Sequence, residues 1–300
     1  MKRSLVYSVF AVLVCTVMLL SACAPGGGGA DKVATFIWTQ EFDTLNPHYT
    51  NMWFSQITHQ LWNCWAWDFD ELNNPIPRLV TEMPTVENGG VSADGTVITM
   101  SLKPDMVWSD GDPLDAEDFL FTYDMVMNTN NAVASTYPFS EITSIEAPDP
   151  LTVVMTFQYP FAPWVATLWR GILPEHVLAP VFEAEGTIDQ AEWNTAPTVS
   201  CGPFKFLEWE SGSYARFVVN ENYWDEKPAL DEVYFRFVPD DASQIAALLN
   251  GDGDLGTFMA YPDIPQWRRL ALRFIGRSRA TMKDFTSIWI PNWGIPPCRS

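Results

Sequence analysis

Residues 102–123 read LKPDMVWSDGDPLDAEDFLFTY. The second half can be decoded residue by residue. Asp115 offers a short side-chain acceptor just before an apolar-periodic run, which suits a helix N-cap. Glu117 and Asp118 follow in the first turn, where the positive end of the helix dipole favours carboxylates. Phe119, Leu120, Tyr123 and Val126 then form an apolar stripe. Just upstream, residues 96–102 alternate, with Ile98, Met100 and Leu102 toward a core and Thr99 and Ser101 away from it. Ser92-Ala93-Asp94-Gly95 before them is turn chemistry, so a hairpin is expected to lead into the capped helix.

The same reading extends outward. Residues 33–39 (VATFIWT) are apolar and β-rich and read as a buried strand, ended by a loop containing Asn46-Pro47. Residues 52–67 carry Trp53, Ile57, Leu61 and Trp62 at helical spacing. Asn73-Asn74-Pro75 marks a turn. Residues 151–157 alternate, with Leu151, Val153, Met155 and Phe157 on one face. Residues 172–181 predict a short helix opening at Pro174. Residues 214–220 and 233–238 are further strands, and residues 244–249 begin a helix closed by Asn250-Gly251. Mixed elements without a repeat predict an α/β or α+β protein.

The chain has 300 residues, 47% hydrophobic and 18% charged, within the globular range. Its 37 acidic against 17 basic residues exclude nucleic acid as a partner, because phosphates require cations to displace their counterions. They also oppose an electrostatic grip on anionic lipid. Solubility is the simple reading of this charge, and attraction of cationic ligands the sharper one.

The N-terminus reads as an address. Lys2 and Arg3 precede an apolar run over residues 5–20, and small residues follow in Leu20-Ser21-Ala22-Cys23, the layout of a signal peptide. LSAC resembles the lipobox of bacterial lipoproteins, which implies that residues 1–22 are removed and Cys23 is the lipid attachment site. Residues 23–32, containing APGGGGA, read as a flexible tether. An uncleaved anchor helix is the alternative. Cys64, Cys201 and Cys298 remain. Export permits a Cys64–Cys201 disulfide, while isolated buried thiols are the simpler expectation. Residues 268–300 hold seven basic residues and one acid, against the trend of the chain, and read as an out-of-frame segment or a basic tail.

No phosphate loop, zinc-binding helix or nucleophile elbow occurs. His48, His59 and His176 are not at metal-ligand spacing, and surface or capping roles are expected for them. The acids at 250–254 lack the glycine and closing acid of a calcium loop, and those of Asp110-Gly111-Asp112 belong to the turn before the Asp115 cap. No catalytic residue, metal site or cofactor is expected.

Three segments together resemble the family 5 extracellular solute-binding proteins, the oligopeptide and dipeptide receptors of ABC importers. They are ATFIWTQEFDTLNPH (34–48), the 102–123 stretch, and CGPFKFLEWESG (201–212) followed by NENYWDEKPALDEVYFR (220–236). The resemblance covers residues 33–267. It implies a periplasmic-binding-protein type II-like bilobed α/β fold that closes on its ligand. Only the first lobe (33–57 and 164–267) and its inserted small subdomain (58–163) are expected here, followed by the aberrant basic tail (268–300), in a C-terminally truncated chain. By resemblance, Gln40, Glu41 and Phe42 line the cleft, and Cys201, Gly202 and Phe204 lie near hinge and ligand. Trp38 and Trp62 are weaker candidates for the cleft, and core packing is the simpler reading of each. The implied ligand is a peptide, the implied partner an ABC permease, and the implied location the outer side of the cell membrane, held there by lipid. An oligosaccharide binder of the same family, an exported carboxylate hydrolase and a non-functional fragment are the alternatives.

Overall fold

The computed structural model of the protein describes residues 32–256. The signal segment, the Cys23 attachment site, the glycine tether up to residue 31, Cys298 and the basic segment 268–300 lie outside the described residues. In chain order the elements are β1 (Val33–Trp38), α1 (Trp53–Trp62), β2 (Trp67–Phe69), β3 (Pro75–Pro77), β4 (Val97–Ser101), α2 (Ala116–Met127), β5 (Ile142–Asp149), β6 (Thr152–Phe157), α3 (Trp164–Thr167), α4 (Glu175–Glu185), β7 (Phe204–Glu210), β8 (Tyr214–Val219), β9 (Glu232–Phe237), α5 (Asp241–Asn250) and β10 (Leu255–Gly256). A five-stranded sheet has the order β10-β1-β9-β8-β7, and a three-stranded sheet the order β4-β6-β5. The short β2–β3 ribbon is antiparallel.

Two apolar cores follow from this layout. One joins the large sheet to α1 through Trp38, Phe54, Ile57, Trp62, Phe217 and Phe235. The other fills the small subdomain between the three-stranded sheet and α2, around Met100, Trp108, Phe119, Met155 and Trp169. The alternation read in residues 96–102 is realised: Ile98, Met100 and Leu102 are buried. In the second alternating segment Val153, Met155 and Phe157 are buried, whereas Leu151 sits exposed in the β5–β6 turn.

The decisive stretch forms its helix by a reciprocal cap. The Glu117 N–H donates to the Asp115 side chain at 2.9 Å, and the Asp115 N–H donates to Asp118 Oδ2 at 3.1 Å. Asp118 is therefore a buried anchor rather than a solvated first-turn acid. It also accepts from the Trp108 indole (3.1 Å) and, on its other oxygen, from the Glu175 N–H that opens α4 (3.0 Å). One carboxylate thus caps two helices. Burial pushes this carboxyl up to about 7, opposed by the same three donors.

The expectation for the cysteines is corrected. Cys64 and Cys201 are not isolated thiols; they form a disulfide with Cα atoms 5.4 Å apart. Thr58 lies inside α1, whose apolar face belongs to the large-sheet core. The chain leaves that core at Asn63–Cys64 and returns at Ile172–Leu173, where neighbouring residues belong to different cores. The helix expected over 52–67 ends at Trp62 because the Asn63 side chain takes up the local backbone. Its Oδ1 accepts from the N–H groups of Cys64 (2.6 Å) and Ile172 (3.0 Å).

Candidate functional site

The strands of the large sheet end at two edges that hold the residues of interest. β1, β9 and β10 run parallel. β8 runs antiparallel between β7 and β9, so β7 shares the direction of β1. Register places Trp38 beside Phe237, Arg236 beside Tyr214, and Tyr214 beside Glu210. The carboxyl ends of β1, β7 and β9 therefore share one edge. Crevices outside the carboxyl ends of parallel strands are where open α/β sheets bind ligands.

Gln40, Glu41 and Phe42 lie at this edge, immediately beyond β1. Gln40 is exposed and Phe42 is buried. Phe42 packs edge-on against Trp38 (5.8 Å), Trp209 (5.6 Å) and Phe237 (5.4 Å). The Trp209 indole N–H donates to Glu41 Oε1 at 2.7 Å, and the Gly212 N–H donates to Oε2 at 2.8 Å. The segment is thus clamped to the β7–β8 turn. The edge is stitched further by Val238 N–H to Trp38 O (2.7 Å) and Phe237 N–H to Ser213 O (2.9 Å).

Behind it, the loop to α1 is braced by its own polar groups. Asp43 accepts from the hydroxyls of Thr50 (2.8 Å) and Ser55 (2.7 Å). Burial pushes its carboxyl up, but these donors and the Thr44 N–H outweigh burial and hold it below its ordinary value. Asn46 Nδ2 donates to Asn194 Oδ1 (2.7 Å), and the Tyr49 hydroxyl donates to Asp189 (2.6 Å). His48 Nε2–H donates to Gly171 O at 3.1 Å.

Cys201, Gly202 and Phe204 lie elsewhere. Phe204 opens β7 opposite Val219, at the amino-terminal edge. The strand from Phe204 to Trp209 spans about 16 Å at ~3.3 Å per residue. The structure therefore groups Gln40–Phe42 with Trp209 and Gly212 at one edge, and Cys201–Phe204 with the end of α1 at the other. All three of the latter are buried. The Gly202 N–H donates to Trp62 O at 2.9 Å, and a Cβ on Gly202 would lie 2.7 Å from the Trp62 carbonyl carbon. Glycine is required there by close backbone approach.

Trp38 and Trp62 are fully buried core residues, as read. Of the histidines, His59 departs most clearly from the expected surface or capping role. His59 is buried under Trp62 (5.9 Å between rings). Burial pushes it down to about 3 and His48 down to about 4. His176 faces Asp110 (3.1 Å) and Asp112 (3.5 Å) through opposite ring nitrogens. At 250–254, Asp254 accepts from Thr35 N–H (2.8 Å) and Asp252 faces Arg236 (3.7 Å), so these acids diverge. Among the described residues no three His, Cys, Asp or Glu side chains are placed to hold a metal ion. Sequence reasoning missed Trp209 and Asn63. Neither carries a local signal, because each acts on a segment distant in the chain.

Residues 74–284 match the model of the bacterial extracellular solute-binding proteins, family 5. The chain belongs to that family. The match runs into the first part of the basic segment. A putative ABC transporter peptide-binding protein of Brucella ovis is 33% identical over 146 residues, 48% of this chain and 27% of the relative. The nickel-binding periplasmic protein of Escherichia coli is 28% identical over 266 residues, 85% of this chain and 45% of the relative. The structure of the oligopeptide-binding protein AppA of Bacillus subtilis with a nonapeptide superposes with a TM-score of 0.70 at 22% identity, over 80% of this chain and 47% of that one. That likeness concerns the fold. The chain spans less than half the length of these family 5 proteins. The family is one of extracellular solute-binding proteins, and these relatives are named as binding proteins rather than enzymes.

Proposed function

We propose that this chain contributes one wall of a peptide-binding cleft in the receptor of an ABC importer. The observation that carries the reading is the carboxyl edge of the large sheet. There the segment Gln40–Phe42 is held by Trp209 and Gly212 in the crevice position of an α/β sheet, within a family of solute receptors. Gln40, exposed beyond β1, presents its side chain to the ligand. Glu41 and Phe42 set the backbone that meets it. Cys201, Gly202 and Phe204 act from the opposite edge, fixing the sheet to the small subdomain. The receptor works without chemistry: it captures, closes and hands its ligand to a permease. A lipid on Cys23 keeps it beside that permease, and intact-mass measurement of the membrane fraction tests the anchor.

The function is tested by melting the full chain with a mixed peptide library, cello-oligosaccharides and Ni2+ separately. Peptides are expected to raise Tm with the logarithm of their excess over Kd, and a Gln40→Ala variant to weaken the rise. A shift with sugars or nickel alone would sink the peptide reading.

A further inference from the structure

The chain holds two Asn-Gly pairs, Asn88-Gly89 and Asn250-Gly251. Such a pair can rearrange without an enzyme. The glycine backbone nitrogen attacks the asparagine Cγ, an N–Cγ bond forms and the Cγ–Nδ2 bond breaks. Ammonia leaves, carrying the proton of the glycine N–H. Water then opens the resulting succinimide at either carbonyl, giving Asp or its β-linked isomer. Glycine permits the step because no Cβ hinders the approach of its nitrogen.

The glycines themselves do not distinguish the two pairs. Both are left-handed, with φ of 77° at Gly89 and 79° at Gly251, and a Cβ on either would meet nothing within 4 Å. Each N–H bonds to a carbonyl three residues back, Gly89 to Val86 O at 3.3 Å and Gly251 to Leu248 O at 3.2 Å, the latter shared with Ala247 O. Both pairs are exposed.

The asparagine side chains differ. Asn88 is locked in its loop: Oδ1 accepts from the N–H groups of Thr85 (2.9 Å) and Gly90 (3.0 Å), and Nδ2 donates to Met83 O (2.9 Å). Turning Cγ toward the Gly89 nitrogen breaks all three bonds. Asn250 is the last residue of α5, and its side chain makes no hydrogen bond among the described residues. Its carboxamide turns at no such cost.

The product would be poorly tolerated there. The last turn of α5 has no basic residue, so a carboxylate at position 250 meets the negative end of the helix dipole unopposed. The β-linked isomer also lengthens the main chain by a methylene just before the Gly251 cap. The turn beyond that cap carries the anchor of β10 on β1. Asp252 N–H donates to Ala247 O (2.9 Å), Asp254 N–H to Thr35 O (2.8 Å), and Thr35 N–H to the Asp254 carboxylate (2.8 Å).

We propose that Asn250 is a site of spontaneous deamidation in the folded protein, that its loop shields Asn88 from the same reaction, and that the product loosens the end of α5 and its anchor on β1. None of this rests on the receptor reading.

The test incubates the full chain in mildly alkaline buffer, folded and in urea. Peptides containing each pair are followed by mass and by labelling with an isoaspartyl methyltransferase. In the folded chain Asn250 is expected to convert several-fold faster than Asn88, and in urea the two are expected to convert at similar rates. Equal rates in the folded chain, faster loss of Asn88, no conversion of Asn250, or a preference that survives in urea overturns the proposal. Asn250→Gln is expected to abolish labelling at the end of α5, because its ring closure is slower; labelling that persists there overturns the assignment. Asn250→Asp supplies the charge without ageing and is expected to speed amide exchange in the last turn of α5 and at Thr35. Unchanged exchange overturns the structural consequence.

Discussion

Glu41 and Trp209 lie 168 residues apart in sequence and are joined by a 2.7 Å hydrogen bond from indole to carboxylate. With Gly212 on its other oxygen, the carboxylate serves to fix residues 40–42 to the β7–β8 turn rather than to lie open to solvent. Glu41→Ala strands two donors and is expected to cost about 1–3 kcal/mol in urea unfolding, with a change in Trp209 fluorescence. Glu41→Gln restores one acceptor but turns an N–H toward the other donor, so it recovers only part of the loss. Unchanged stability in both variants would remove Glu41 from this role.

Gly202→Ala should be among the most damaging single-methyl changes. Its Cβ would meet Trp62 Cα at 2.8 Å and Asn63 O at 2.9 Å, and backbone cannot rotate away as a side chain can. Overpacking of this kind costs about 1–3 kcal/mol. Gly212→Ala provides the contrast for chemical denaturation, since its Cβ would meet nothing within 4 Å. Its φ of 75° confines the cost there to the left-handed backbone.

Stability should depend on pH through groups of opposite sign. His48 and His59 are depressed by burial to about 4 and about 3, from an ordinary 6.5. The unfolded chain protonates them first, so stability is lost as pH falls below about 6.5, down to the folded values. Asp118 is raised to about 7 from 3.8. The unfolded chain ionises it first, so stability is lost as pH rises from about 4 to about 7. Melting profiles should show a less steep acid limb in His59→Phe. A limb of unchanged slope would contradict the buried, neutral state of that imidazole.

The Cys64–Cys201 bond spans 137 residues of sequence. Closing so long a loop in the unfolded chain, C64S/C201S is expected to lower stability by about 2–5 kcal/mol, seen as a lower Tm. Equal melting of the oxidised protein and the variant would show that the surrounding contacts suffice.

Much of the local structure was legible. Alternation placed Ile98, Met100 and Leu102 correctly, and Asp115 marked its helix, because periodicity and capping are decided within a few residues. The edge strand β7 was not read as a strand: its exposed Leu207 and half-buried neighbours carry no clean alternation, and a bulge interrupts its register. The end of α1 was placed too late because Asn63 is bound to Ile172, 109 residues away.

The sequence by itself determined many of the elements, the acidic globular class and the family resemblance, since these reside in local pattern and short motifs. Tertiary structure alone decided which of those residues meet. It separated Gln40–Phe42 from Cys201–Phe204, because parallel and antiparallel pairing set them at opposite edges of one sheet. It also made Cys64 and Cys201 partners, since a disulfide requires two Cα atoms brought within about 7 Å, and only the packing of two cores achieves that here.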